Sequence, residues 1–109
     1  MISHVLASML FLLQSGSTAQ AREAYAACLD DALRSNLESR ASAAAFDRAA
    51  TTGCAARAAA FRNAILAAET AAGSSRAEAE ELAHMEVEDL AGSMRDLYRF
   101  YLEDGSRPK

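Results

Sequence analysis

Residues 75–103 read SRAEAEELAHMEVEDLAGSMRDLYRFYLE. Ser75 followed three residues later by Glu78 is a capping box, with a hydroxyl at the N-cap and a carboxylate at N3, so a helix starts here. From that start Ala83, Val87, Leu90, Met94, Leu97 and Tyr101 recur at alternating spacings of four and three. That alternation is the apolar seam of a helix in a bundle or coiled coil. Glu81, Glu88, Arg95, Arg99 and Glu103 fall on the other side, and Gly105 and Pro108 end the pattern. A helix from Arg76 to about Glu103 would be roughly 42 Å long at 1.5 Å per residue.

Working back along the chain, Cys54 to Ala72 repeats the same logic. Cys54, Ala58, Phe61, Ile65, Ala68 and Ala72 form its seam, and Gly73 suits a left-handed C-cap. Small residues bring helix axes close but bury little area, so Phe61, Ile65 and Leu66 must supply most of the burial, roughly 1.5 to 3 kcal/mol each when enclosed. This helix would be roughly 28 Å long, so the longer one overhangs it or finds other cover. Ser42 is a plausible N-cap for a short helix through Phe46, its one bulky anchor, stopped by Thr51-Thr52-Gly53. From Arg22 to about Glu38, Tyr25, Leu29, Ala32, Leu33 and Asn36 share one arc, while Glu23, Asp30, Asp31, Arg34 and Glu38 occupy the other. Asp30 and Arg34 stand at i,i+4, and Cys28 sits on the margin of the apolar stripe. The expected fold is all-α: a small antiparallel bundle of three main helices plus one short helix, with a disulfide between the first two long ones.

Composition sets the remaining bounds. The chain has 109 residues, 51% of them apolar, with a single proline and a formal charge of −4. That is one domain, and it lacks the basic surplus of a nucleic-acid binder. The first 21 residues stand apart. No charged side chain precedes Arg22; Val5 to Leu13 is an apolar run, and Ala19-Gln20-Ala21 fits the A-x-A pattern of a secretory cleavage site. The run is too short to cross a bilayer, which takes about 20 apolar residues. The n-region carries only His4 and the amino terminus where Lys or Arg is usual, which leaves a short helix packed on the domain, or an uncleaved anchor, as alternatives. The expected organisation is a signal peptide over 1–21 and a helical domain over 22–109, with a flexible tail from about residue 104. Location is then periplasmic or secreted, with no stable membrane insertion after cleavage.

Cys28 and Cys54 are the only cysteines. In an oxidising compartment an even pair reads as one disulfide. Without export the same residues are buried thiols. There is no C-x-x-C, and a zinc site from Cys28, Cys54 and His84 lacks a fourth ligand and standard spacing.

Tyr25-x-x-Cys28-Leu29, then Cys54 with Phe61, Ala64 and Leu66 behind it, then Arg76-Ala77-x-Ala79 and an aromatic final turn form a combined pattern. It resembles a group of small exported two-cysteine helical proteins of Gram-negative bacteria with no assigned activity, over about residues 25 to 101. The resemblance implies export and a helical fold, and it supplies no catalytic residue. Ten arginines against one lysine in an alanine-rich chain also accompany GC-rich coding.

Candidate chemistry is sparse. After cleavage His84 is the only histidine, so any nucleophilic triad must use it as base. It flanks the seam within i±4 of Glu80 and Glu88, where a solvated imidazole beside carboxylates is the plain reading. Glu81-Leu82-Ala83-His84 matches the Glu-x-x-His element of di-iron bundles, but no second histidine completes such a site. His84 and both Met85 and Met94 share one helix, which disfavours haem ligation from facing helices. Paired carboxylates for glycoside hydrolysis have no aromatic platform, for there is no tryptophan, and the glycines are too scattered for a phosphate loop. No cofactor is expected. Glu78, Glu81, Glu88 and Asp89 form a candidate acidic patch: a solvated face, or a docking site for a basic partner or divalent cation.

Leu82 and Phe100 lie 18 residues and five turns apart on the same side of the helix, a second apolar line flanking the seam. It is covered by another helix of the chain or marks a partner or self-association surface. The leading expectation is an exported, disulfide-stapled bundle that works by binding, without catalysis. One alternative is a membrane-associated accessory subunit that keeps its N-terminal apolar segment. Another is a metal-binding protein using His84 and neighbouring glutamates.

Overall fold

The computed structural model describes the backbone from Ile2 to Lys109 and the side chains from Ser17 onward. The protein is all-α, with four helices: α1 (Ile2–Glu38), α2 (Ala43–Gly53), α3 (Ala55–Ala71) and α4 (Arg76–Asp104). Among the described residues there is no strand.

The punctuation between helices follows local chemistry. Ser42 and Ser75 cap α2 and α4, each hydroxyl accepting from the backbone N–H three residues on, Ala45 and Glu78. At Ser75 the box closes differently from the usual form: the hydroxyl itself donates to Glu78 Oε1 at 3.1 Å. α3 ends in a Schellman turn, with Ser74 N–H donating to Glu69 O and Gly73 N–H to Thr70 O; Gly73 takes the left-handed conformation, φ +102°, that this turn needs. The end of α1 makes the same turn without glycine. Arg40 stands at φ +54°, with its N–H on Leu37 O and the Ala41 N–H on Asn36 O, a conformation that costs a non-glycine residue about 1 kcal/mol.

α1 starts well before Arg22. Between residues 14 and 24 the sequence has no proline, and helix runs through it. Its buried residues, Tyr25, Leu29, Leu33 and Leu37, recur every four positions, an i±4 ridge. The arc read from the sequence ended on Ala32 and Asn36. Leu37 takes that place in the core, and Asn36, half-buried, turns its amide back to Ala32 O.

That ridge crosses two cores. In the first, Tyr25 and Leu29 pack with Cys54, Phe61, Ile65 and Leu66 against Ala79 and Ala83, whose small side chains let α4 lie close to α3. In the second, Leu33 and Leu37 meet Phe46 of α2 and Tyr98 of α4. Ala50 and Met94 touch both.

The second core corrects the reading of α4. Its seam was expected to reach Leu97, but Leu97 is 37% exposed and Tyr98 is 0% exposed. The reason is a change of partner. α3 begins only at Ala55, so it cannot cover the last third of α4; α2 and the end of α1 cover it from another side. The buried line therefore steps four residues from Met94 to Tyr98 instead of three. Tyr98 stacks on Phe46 with ring centroids 4.4 Å apart and donates its hydroxyl hydrogen to Ala41 O. The same rotation turns Arg95, expected to face away, onto Asp47 of α2 at 3.0 Å.

Beyond Gly105 two hydrogen bonds join the chain to α1. Arg107 Nη1 donates to Leu37 O at 2.7 Å, placing a cation at the carbonyl end of α1, and Arg34 donates to the Lys109 carbonyl.

Gly92 gives a direct check on this packing. It lies inside α4, and a Cβ built there meets nothing within 4 Å. Gly92→Ala should therefore raise the free energy of unfolding by about 0.5–1 kcal/mol, read from urea denaturation, because alanine gives up less backbone entropy on folding. A loss of stability would mean that another element covers this turn.

Candidate interaction face

The two cysteines are brought together. Cys28 on α1 and Cys54, the residue joining α2 to α3, have their sulfurs at disulfide distance, 2.15 Å, with Cα atoms 5.9 Å apart. Cys54 is buried and Cys28 is half-buried at the edge of the first core. Cys54 makes no side-chain cap for α3; its sulfur meets that of Cys28 on α1 instead.

The four carboxylates of the acidic patch are all exposed but do not form one cluster. At roughly 100° per residue, Glu78 and Asp89 share the outer arc of α4 with Leu82, while Glu81 and Glu88 lie roughly 80–100° round the helix. Glu88 instead acts electrostatically on Tyr25. Burial raises the Tyr25 pKa above 10.0; the Glu88 carboxylate pushes it the same way and Arg95 opposes. Burial likewise raises Tyr98, whose hydroxyl must keep its proton to reach Ala41 O, with Arg107 opposing. A raised native pKa means that the native state holds these protons more tightly than the unfolded chain. Their contribution to stability is full below about pH 10 and is lost as pH rises through the raised native values. Melting temperature should thus fall above pH 10, and the fall should be shallower in Tyr98→Phe, which has one such proton fewer.

Leu82 and Phe100 are not joined into one apolar line. Leu82 is half-buried against the first core, while Phe100 is 55% exposed with its ring edge-on to Tyr101 at 5.8 Å. Between them the same arc carries Glu86, Asp89, Ser93 and Asp96, all exposed. Leu82 instead walls a groove of about 210 Å³ between α1, α3 and α4, lined also by Phe61, Ile65 and Ala68 and rimmed by Arg22, Glu69 and Glu86. The groove is absent from the sequence pattern because its three walls come from three helices. A larger hollow of about 460 Å³ lies at the end of α1 beneath the tail, lined by Arg34, Leu37, Glu38, Arg107 and Pro108. Both of its guanidinium groups are already engaged, Arg34 with Asp30 and Lys109, Arg107 with Leu37.

His84 is exposed on α4, and among the described residues no three His, Cys, Asp or Glu side chains stand together in a way that could hold a metal ion. Among the described residues no helix is long and apolar enough to cross a membrane. The side chains of residues 1–16, and with them most of the segment read as a signal peptide, lie outside the described residues. No protein-family model matches the chain, and no curated protein and no solved structure matches it.

Proposed function

We propose that this chain is an exported, disulfide-stapled antiparallel helical bundle that works by binding, as an interaction module or small structural component of the periplasm or cell exterior. The observation that carries the reading is the Cys28–Cys54 pair at disulfide distance, since such bonds form and persist in oxidising compartments and are rare in the cytosol. Of residues 17–21, whose side chains are described, none is buried, and Ala21 flanks the first core. The likeness to small exported two-cysteine helical proteins belongs to this reading, as does the absence of any need for catalysis.

Cell fractionation with N-terminal sequencing tests it. The expected product starts at Arg22 and is recovered outside the cytoplasm. Full-length chain confined to the cytoplasm would refute it.

A further inference from the structure

The outer face of α4 combines acidic side chains with the edge of an apolar groove. Across residues 78–89, Glu78, Leu82, Met85, Glu86 and Asp89 fall within an arc of roughly 100°, and no Lys, Arg or His of this stretch shares it. Met85 is 50% exposed, and neither Glu86 nor Asp89 is in an ion pair. Leu82 and Glu86 also form one wall of the groove floored by Phe61 and Ile65, whose α1 wall is Thr18 and Arg22, so the acidic charge lies on its α4 side. At about 210 Å³ the groove falls short of the roughly 300–1,000 Å³ of small-molecule pockets. It suits one bulky apolar side chain.

From this juxtaposition, and resting on the reading of the chain as a binding protein, we infer that the α4 face docks a basic amphipathic helix of a protein partner. An apolar anchor enters the groove beside Leu82, and Lys or Arg side chains on the flanks meet Glu78, Glu86 and Asp89. Recognition of this kind uses anchors at helical spacing in an apolar groove, with charge complementarity at the rim governing encounter rate and partner choice. A second copy presenting the same face is opposed by like charge. The outward side of α3 offers Arg57 and Arg62, but only alanines and Asn63 around them, with no bulky anchor.

The test titrates ¹⁵N-labelled full-length, oxidised protein with a synthetic amphipathic Leu/Lys helical peptide and with its counterpart in which every Lys is Glu. The Leu/Lys peptide should bind saturably, shift the amide signals around Leu82, Glu86, Asp89 and Ile65, and weaken as salt rises. Glu86→Lys combined with Asp89→Lys should raise its Kd roughly tenfold. The same charge change placed on α1, Glu23→Lys with Asp31→Lys, should leave Kd within roughly twofold. Equal binding of the Glu peptide, equal loss in both double variants, shifts that map elsewhere, or self-association in place of peptide binding would each overturn the assignment. Such a failure is separable from failure of the broader reading: a chain starting at Arg22 and recovered outside the cytoplasm would lose only its assigned face, whereas full-length cytoplasmic chain would remove the reading whatever the peptides do.

Discussion

Phe46→Ala should lower the free energy of unfolding by about 3–5 kcal/mol, the cost of truncating a fully buried aromatic ring. Phe46 is the only large apolar side chain of α2, whose other ten residues are AAA and DRAATTG. It is 1% exposed and packs with Leu33, Leu37 and Tyr98. Stacking on Tyr98 adds about 0.5–1.5 kcal/mol beyond the area buried. Without the ring, the one ion pair holding α2 to α4 is Arg95–Asp47, and its side chains are 39% and 34% exposed; such a pair contributes about 0–1 kcal/mol. Helix α2 should therefore lose its hydrogen-exchange protection before α3 does. Urea denaturation of Phe46→Ala beside Asp47→Ala makes the comparison, and the first should exceed the second severalfold. Equal effects would mean that α2 is held by charge and not by its anchor.

Removing the sulfur bridge should cost nearly as much by another route. Cys28 and Cys54 are 26 residues apart, and closing a loop of that length removes unfolded-state entropy worth about 3.5 kcal/mol in the chain-entropy model. The double variant Cys28→Ala/Cys54→Ala should melt roughly 15–25 °C lower, since a domain near this size loses about 4–8 °C per kcal/mol. A reductant should bring the wild-type chain to the same lowered value and leave the double variant unmoved. If reduction shifted neither protein, the bridge would contribute nothing to folding.

Much of this fold was legible because its determinants are local. Ser42, Ser75 and Gly73 mark helix ends through bonds to residues at most five positions away, and Phe61, Ile65 and Leu66 are the bulky residues of an alanine helix. What escaped was set by neighbours. Leu97 and Tyr98 are equally apolar by pattern, and the choice between them depends on α3 starting too late to cover Leu97. Arg95 reads as a surface cation until α2 brings Asp47 to it. The end of α1 was misplaced by one step, because Asn36 fits the arc but Leu37 is what the second core buries. The left-handed turn at Arg40 carries no sequence signal, since glycine is the residue that usually announces it.

The candidate face divides in the same way. Periodicity placed Leu82 and Phe100 at one azimuth, which is correct for an isolated helix, yet three helices meet at the groove beside Leu82 while Phe100 stays 55% exposed. Glu78 and Asp89 share the arc of Leu82, whereas Glu88 belongs to the surroundings of Tyr25. A single helical wheel cannot separate these, because the distinction lies in which helices stand on either side.

The state of the two sulfurs in the living cell tests the account most directly. Thiols are blocked with an alkylating agent before lysis, and the intact protein is weighed with and without prior reduction. The account predicts no adduct on the native protein, two adducts after reduction, and a mass that begins at Arg22. Two adducts without reduction, on a chain that still carries residues 1–21, would contradict it.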